Sequence, residues 1–405
     1  MRSTRPVQHL GLAGSLLPLL TTPTRFNLVL WCSIMLVPAR HISSGGRRPK
    51  KKIYHRVHEL DRVMDLRKKP SLVLHLKSII ESQKQKCLLL RDLEKQVGFV
   101  QKWDLMAVIE KYPSIFHVGG GSGRALPFVT LTEKAWKLAS AEAEARNLME
   151  PILVKNLRKL LMLSIDCRVR LENIEIIENE LGLPRDFKNL LIPKYPEYFS
   201  VKDYNGKACL QLENWDSTLA VTAREERLAL EGVSGSNPPK KKVRISKDGN
   251  FSGPYAFKMC FAAGFRPNAS FLDELERWQR MEFPSPYLNA RRFEASDPKA
   301  RKRTLGVLHE LLSLTMEKRM TSMQLDAFHC EYLLPARLLL CLVKNHGIFY
   351  ITNKGIRSSV FLKEAYDGSC LIDKCPLLLF HDKFVAPLTG RKEISPDFVN
   401  SSFHS

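Results

Sequence analysis

The chain repeats one order of hydrophobic and polar positions three times. Apolar residues recur at helical spacing, a Lys follows, and two short apolar runs then flank a group of turn residues. The change of spacing lies at three similar segments that begin with Lys and end with Phe, 111–116, 194–199 and 344–349. Helical spacing followed by two apolar runs around a turn predicts helices and then a β-hairpin. We therefore predict an α+β fold, mainly helical, in which one unit is used three times.

Each predicted unit has the outline of a winged-helix module. The predicted hairpin strands are 117–118 with 125–131, 199–201 with 209–212, and 349–351 with 360–362. In such modules one helix and the hairpin commonly lie against nucleic acid. Large aromatic residues at recurring positions are usually core residues, so we predict that Phe116, Phe199 and Phe349 pack each hairpin onto its helices.

A change of composition divides the chain into two halves. Residues 232–253 combine Gly, Ser and Pro with the basic run Lys240-Lys241-Lys242-Val243-Arg244, which predicts a disordered linker. The predicted organisation is a transit peptide at 1–43, an N-terminal half with two helix–hairpin units at 44–231, the basic linker at 232–253, a C-terminal half with the third unit at 254–388, and a tail at 389–405. We expect the two halves to be able to move relative to each other.

The N-terminal segment is rich in Arg and contains no acidic residue. Before Glu59 there are seven Arg and three Lys, with scattered Ser and Thr. This composition is typical of an organellar transit peptide. The segment Arg40-His41-Ile42-Ser43-Ser44 resembles a mitochondrial processing site, which favours the mitochondrion, with the chloroplast as the alternative. The apolar run 26–37 is shorter than the ~20 residues of a bilayer span, so we expect no membrane insertion.

The charge of the chain points to a class of ligand. The 405 residues carry a formal charge of +21, and residues 1–58 hold ten positive charges and no negative ones, so the remainder still carries +11. A surface this basic attracts polyanions, above all nucleic acid, although a solvated face explains any single basic cluster equally well. The RNA-binding candidates are the basic residues that cluster along the sequence, namely Lys50, Lys51, Lys52, Arg62, Arg67, Lys68, Lys69, Lys155, Arg158, Lys159, Arg291, Arg292, Arg301, Lys302 and Arg303.

The sequence contains no motif typical of an enzyme. The Gly-rich stretch 119–123 lacks the Gly-Lys-Ser/Thr of a phosphate-binding loop and falls inside a predicted hairpin. The nine cysteines include no Cys-x-x-Cys pair, and the spacing of the C-terminal Cys and His residues fits no zinc pattern. We therefore predict no catalytic residue, no metal and no cofactor.

Several segments together resemble the plant organelle RNA recognition domain family. They include Leu60-Asp61-Arg62-Val63, Lys111-Tyr112-Pro113-Ser114-Ile115-Phe116, Pro284-Ser285-Pro286-Tyr287 and His309-Glu310-Leu311-Leu312-Ser313-Leu314-Thr315, followed by 347–350, 361–366, 371–372 and 376–377. The resemblance covers roughly residues 50 to 388. It implies a non-enzymatic RNA-binding protein of plant mitochondria or chloroplasts, which binds intron-containing RNA and promotes splicing of group II introns alongside other splicing factors.

Two other interpretations belong to different classes of protein. The repeated units could recruit protein partners with little direct RNA contact, as a scaffold in an organellar ribonucleoprotein. The basic run 240–244 also resembles a nuclear localisation signal, which would suit a nuclear regulator. The several basic clusters argue against a scaffold with little RNA contact. The N-terminus that resembles a transit peptide argues against a nuclear regulator.

Overall fold

A computed structural model describes residues 56–97, 105–120, 126–230, 257–281, 283–294 and 296–389. The predicted transit peptide, the predicted basic linker and the tail beyond residue 389 lie outside these described residues, as do the candidates Lys50, Lys51 and Lys52. Within the described part of the chain, no helix is both long enough and apolar enough to span a membrane.

The helices and strands follow one another in three groups. The first group comprises α1 (His58–Ser82), β1 (Cys87–Leu89), α2 (Leu90–Val97), α3 (Leu105–Glu110), β2 (Phe116–Gly119) and β3 (Phe128–Leu131). The second comprises α4 (Glu133–Leu163), β4 (Arg168–Arg170), α5 (Leu171–Ile176), α6 (Glu178–Leu181), α7 (Phe187–Leu190), β5 (Phe199–Tyr204), β6 (Lys207–Leu212) and α8 (Ala223–Leu230). The third comprises α9 (Ala269–Arg280), α10 (Pro298–Leu314), β7 (Arg319–Thr321), α11 (Ser322–Ala327), α12 (His329–Tyr332), α13 (Leu338–Lys344), β8 (Phe349–Thr352), β9 (Ser359–Leu362), β10 (Tyr366–Asp367), β11 (Cys370–Leu371) and α14 (Pro376–Thr389).

Each group forms a three-stranded antiparallel sheet with the same strand order. The last strand of the hairpin is central in all three sheets, which read β1-β3-β2, β4-β6-β5 and β7-β9-β8. The predicted α+β, mainly helical class is thus confirmed, and the comparison of each unit with a winged helix stays a prediction. The sequence missed β1, β4 and β7, because a three-residue strand directly before a helix has no periodicity of its own.

The same backbone details recur at equivalent positions of the three groups. The residue just before the first strand has a positive φ each time, at Lys86 (54°), Cys167 (52°) and Lys318 (51°). Such angles are uncommon outside Gly, so three occurrences at one position reflect a shared local geometry. The three aromatic residues that begin the hairpins, Phe116, Phe199 and Phe349, are 3%, 3% and 1% exposed, which confirms the prediction that they are core residues.

The second and third groups pack against each other through reciprocal hydrogen bonds. The Asn173 side chain donates to the carbonyl of Ala327 (2.9 Å), and the equivalent Gln324 donates to the carbonyl of Ile176 (3.0 Å). Two backbone hydrogen bonds are reciprocal in the same way. Ile165 N–H donates to the carbonyl of Glu331 (2.9 Å), and the equivalent Met316 N–H donates to the carbonyl of Glu180 (2.7 Å). Contacts that exchange equivalent residues in this way relate the two groups by an approximate two-fold axis.

This interface crosses the predicted boundary between the two halves of the chain. Buried residues of all three groups belong to one hydrophobic cluster that runs from Val73 to Val385, and the described residues fall in one compact unit. The described residues of the predicted halves therefore share a core. This shared core does not favour the expected movement of one half against the other.

The first helix covers one face of the third sheet. Leu60 and Val63 of α1 pack on Tyr350 and Phe361, which forms a second, smaller hydrophobic cluster. Within this contact, Asp61 Oδ1 accepts hydrogen bonds from Tyr350 Oη (2.8 Å) and Thr352 Oγ1 (2.6 Å). The start of the first group is in this way attached to the hairpin of the third.

We expect Asp61→Ala to destabilise the fold. The substitution leaves two buried hydroxyls without an acceptor, which costs about 2–3 kcal/mol of unfolding free energy, measured by urea denaturation. Burial opposes ionisation of Asp61, yet bonds from Thr352, Tyr350 and Arg56 lower its pKa. Its contribution is therefore complete above the unfolded value of about 4 and is lost as the pH falls.

The exposed Glu59 of the same helix supplies the matched control. Glu59→Ala should change the free energy of unfolding by no more than about 0.5 kcal/mol. Equal stability of the two variants at pH 7 would contradict the role assigned to Asp61.

Candidate nucleic-acid interface

Four of the predicted RNA-binding residues present free cationic groups to solvent. Arg62 and Lys69 lie on the exposed side of α1, Arg292 lies in the short 3₁₀-helix before α10, and Arg301 lies in the first turns of α10. None of these side chains has an ion pair or hydrogen bond with another residue that the structure describes. Such groups can contact phosphates without first breaking an internal interaction.

Five further candidates are engaged in ion pairs at the surface or partly below it. Lys68 pairs with Asp65 (2.9 Å), Lys155 with Glu226 (3.3 Å) and Arg291 with Asp166 (2.7 Å). Two others are less exposed, since Arg67 lies between Glu317 and Asp382, and Arg158 pairs with Asp216 while its guanidinium lies 4.1 Å from the Tyr198 ring centroid. The three exposed pairs, those of Lys68, Lys155 and Arg291, contribute little to stability, so a phosphate can replace the carboxylate there at small cost.

The prediction of an RNA contact is wrong for Lys159. Only 2% of this residue is exposed, and its Nζ lies 2.8 Å from Glu310 Oε1 and 2.8 Å from the carbonyl of Val221. Lys159 lies on the face of α4 that packs on α10, whereas Lys155 lies on the solvent side. Sequence proximity placed both residues on one basic face, but only Lys155 faces the solvent.

The prediction is also wrong for Lys302 and Arg303, which are 2% and 4% exposed. Lys302 donates to the carbonyls of Trp278 and Met281, and Arg303 donates to the carbonyl of Leu288 (2.7 Å). Burial lowers the pKa of Lys302 to about 8 and that of Arg303 to about 10. These two residues link segment 278–288 to α10. The available sequence signal was the run 305–312 that follows them, because it is apolar at most positions and a mostly apolar helix lies inside the protein.

The structure brings three predicted residues of α1 together with two that the sequence did not suggest. Lys354 Nζ lies 2.6 Å from Asp65 Oδ2, and Arg357 is exposed in the same hairpin turn. We call the five residues Arg62, Lys68, Lys69, Lys354 and Arg357 the α1 ridge. Bonds from Lys354 and Lys68 lower the pKa of Asp65 to about 2, so its single negative charge persists among them.

The third hairpin reaches α1 through close packing of its turn. A side chain at Gly355 would lie 3.2 Å from the Met64 terminal methyl, so the turn rests directly on the helix. The sequence predicts a hairpin between 349–351 and 360–362, but no local pattern places its turn beside residues near position 62. Only the tertiary contact between α1 and the third sheet reveals the ridge.

The adjacent residues His309 and Glu310 are buried and hydrogen-bonded within the core. His309 Nε2 lies 2.8 Å from Glu364 Oε1, and both residues are buried. Glu310 is fully buried and accepts from Tyr287 Oη (2.7 Å) and from the backbone N–H of Ala223 (2.9 Å). Among the described residues, no group of three His, Cys, Asp or Glu side chains is placed to hold a metal ion.

Comparison with known proteins places this basic, repeat-built fold in a family. Residues 55–393 match the plant organelle RNA recognition domain. The chain belongs to this family. The resemblance drawn from the sequence segments is thereby confirmed, and the family gives the chain an RNA-related role in an organelle.

Three curated relatives share most of the domain. Protein WHAT'S THIS FACTOR 1 homolog, chloroplastic, of Arabidopsis thaliana is 34% identical over 80% of this chain and 61% of its own length. Protein ROOT PRIMORDIUM DEFECTIVE 1 of the same plant is 30% identical over 84% of each chain, and Protein WHAT'S THIS FACTOR 9, mitochondrial, is 24% identical over 81% of this chain and 82% of its own. The chain thus spans less than two thirds of the chloroplastic relative. No solved structure matches this chain.

The burial of Lys159 generates a prediction that separates structural from RNA-contacting cations. Lys159→Ala leaves Glu310 buried without its ammonium partner, so the free energy of unfolding should fall by about 3–5 kcal/mol in urea denaturation. Lys155→Ala, one turn earlier on α4, removes only an exposed pair and should cost less than about 1 kcal/mol. If Lys159→Ala kept its stability but bound RNA more weakly, Lys159 would be an RNA contact and not a structural residue.

Proposed function

We propose that this protein binds intron-containing RNA in an organelle and promotes the splicing of group II introns, together with other splicing factors. The observation that carries the proposal is the α1 ridge on a plant organelle RNA recognition domain. Its exposed cations come from two distant parts of the chain, and among the described residues Asp65 is the one carboxylate that forms an ion pair with them. This is the charge pattern that phosphates require.

We propose a passive mechanism, in which the protein supplies binding and no catalytic group. Basic side chains would hold RNA phosphates while aromatic side chains take up unpaired bases. Binding of this kind stabilises whichever RNA conformation presents the matching phosphates, because a ligand shifts a conformational equilibrium by its difference in affinity. The folded intron conformation is the one that splicing requires.

We propose the mitochondrion as the compartment, with the chloroplast as the alternative. The segment around Arg40 supports the mitochondrion, since it resembles a processing site. The relatives include one whose name is chloroplastic and one whose name is mitochondrial, so the family is compatible with both organelles.

A protein-interaction scaffold is the second candidate function. Leu340 and Val343 of α13 are 44% and 43% exposed, although the same helix buries Leu338 and Leu342 in the core. An apolar strip on the solvent side of a helix suits contact with another protein. The two candidates differ in salt dependence, because phosphate contacts release counterions and apolar contacts do not.

The α1 ridge should determine how RNA binding depends on salt. The full chain should lose more than about tenfold in affinity for a fluorescein-labelled oligouridylate between about 50 and about 500 mM salt. Replacing Arg62, Lys69 and Arg357 by Gln should reduce the slope of log K against log salt by about 2, since each phosphate contact contributes about 0.7. A slope near zero for the unsubstituted chain would favour the scaffold.

Three exposed lysines away from the ridge provide the matched control. The side chains of Lys84, Lys134 and Lys137 have no ion pair or hydrogen bond to another described residue, and their replacement by Gln removes the same charge. This control should keep the original slope. An equal loss of slope in both triple variants would show that net charge, and not the ridge, governs binding.

RNA recovered with the tagged full chain from plant tissue tests target and compartment together. We expect enrichment of mitochondrial transcripts that contain group II introns, measured by sequencing, and weaker enrichment for the ridge variant. Enrichment of chloroplast introns would replace the mitochondrial assignment. Recovery of no intron-containing transcript would contradict the proposed function.

A further inference from the structure

The second and third sheets have equivalent outer faces with different chemistry. The strand registers align Ser200, Lys202 and Tyr204 of β5 with Tyr350, Thr352 and Lys354 of the β8 hairpin. They also align Gln211 with Phe361 and Arg168 with Arg319. The other face of both sheets points into the core, where Phe199 and Phe349 are buried.

The outer face of the third sheet is occupied by α1. Tyr350 and Phe361 are apolar and lie beneath Leu60 and Val63, with 7% and 0% exposure. At the edge of this contact, Arg319 pairs with Glu317 (2.5 Å), which also faces Arg67 of α1 at 3.4 Å. The chemistry of this face is that of a covered surface.

The outer face of the second sheet carries polar and basic side chains instead. We call the residues Arg168, Arg170, Lys202, Tyr204, Lys207 and Gln211 the second-sheet face. Lys202 and Lys207 are exposed. The Lys202 side chain pairs with Glu213 (2.8 Å), and the Lys207 side chain has no ion pair or hydrogen bond to another described residue. An exposed sheet face is often polar simply because water covers it, so polarity alone does not indicate a ligand.

A stacked pair distinguishes this face from an ordinary solvated one. The Arg168 guanidinium carbon lies 4.1 Å from the centroid of the Tyr204 ring, and the Tyr204 hydroxyl is fixed by a hydrogen bond to Gln211. The tight turn at Asn205 and Gly206, with φ of 56° and 74°, holds the hairpin that carries Tyr204. A fixed aromatic ring beside a guanidinium plane is a surface on which a base stacks.

The charges around the stacked pair favour a polyanion. Five basic residues lie on or beside the second-sheet face, and the acidic residues paired with them are three, Asp166, Glu213 and Glu331. Asp166 is shared by two of the cations, Arg168 and Arg291. The cations thus outnumber their paired carboxylates by two. Two further carboxylates, Glu172 and Asp203, also act electrostatically on residues of this sheet.

We propose that the second-sheet face binds single-stranded RNA, with an unpaired base stacked on Tyr204 and Arg168 and with Lys202 and Lys207 contacting phosphates. The proposal rests on the proposed RNA-binding function and names a site and an RNA class for it. Single-stranded RNA is the class that fits, because only unpaired bases expose a planar face for stacking, whereas a duplex offers phosphates and 2′-hydroxyls.

Affinity for two labelled probes tests the site on the full chain. The probes are an oligouridylate and a fully paired RNA duplex. Tyr204→Ala should weaken binding of the oligouridylate at least fivefold, at about the strength expected of one lost stacking contact, and should change duplex binding less than about twofold. Tyr204→Phe keeps the ring and should retain the affinity.

Charge variants test the phosphate contacts independently of the ring. Lys202→Gln with Lys207→Gln should lower the salt slope for the oligouridylate by up to about 1.4. The control pair Lys134→Gln with Lys137→Gln should leave the slope unchanged. Photocrosslinking of a 4-thiouridine probe to the peptide that contains Tyr204 would report contact directly, which a purely structural role of Tyr204 would not produce.

The outcomes separate this proposal from the proposed function. If the unsubstituted chain binds the oligouridylate and every variant of the second-sheet face binds equally well, the protein binds RNA elsewhere and the site is wrong. Equal weakening for both probes would overturn the single-stranded assignment. If the unsubstituted chain binds neither probe, both proposals fail, and preferential binding of an acidic peptide would indicate a protein ligand for this face.

Discussion

The buried contact of Lys159 with Glu310 is the interaction on which the arrangement of the second and third units depends. A buried charge must have a partner, because removal from water costs several kcal/mol per ion. Glu310 satisfies this requirement with groups from separate segments, since it accepts from Lys159 of α4, from Tyr287 and from the N–H of Ala223 at the start of α8. A displacement of any of these segments would leave a charge or a polar group unpaired in the core.

The second and third units are built alike, but their sheets have different surroundings. The second and third units face each other through reciprocal bonds such as those of Asn173 and Gln324, so their sheets are held in fixed and nearly equivalent positions. The covering of one outer face by α1 then breaks the equivalence. The outer face of the third sheet is buried, as the burial of Phe361 shows. The outer face of the second sheet carries polar side chains that reach the solvent.

Local patterns predicted the elements well, and tertiary contacts decided the rest. The class of fold and the burial of Phe199 and its two counterparts followed from spacing, because periodicity records which side of an element faces the core. Arg62 and Lys69, two of the predicted RNA-binding residues, are exposed, and their contact with RNA stays a prediction. Charge counting failed at Lys302 and Arg303, since a cluster in sequence does not show that carbonyl groups from a distant segment accept its hydrogen bonds.

Part of the α1 ridge could not be predicted from the sequence, because a tertiary contact brings its residues together. Lys354 lies beside α1 only because the third hairpin rests on Met64, and Lys354 and its partner Asp65 are 289 positions apart in the sequence. The same contact covers the third sheet, so a single helix both assembles the α1 ridge and removes one of the two equivalent sheet faces from solvent. The position of α1 therefore determines which surfaces remain for a ligand, and a repeat count alone would overestimate the number of binding faces.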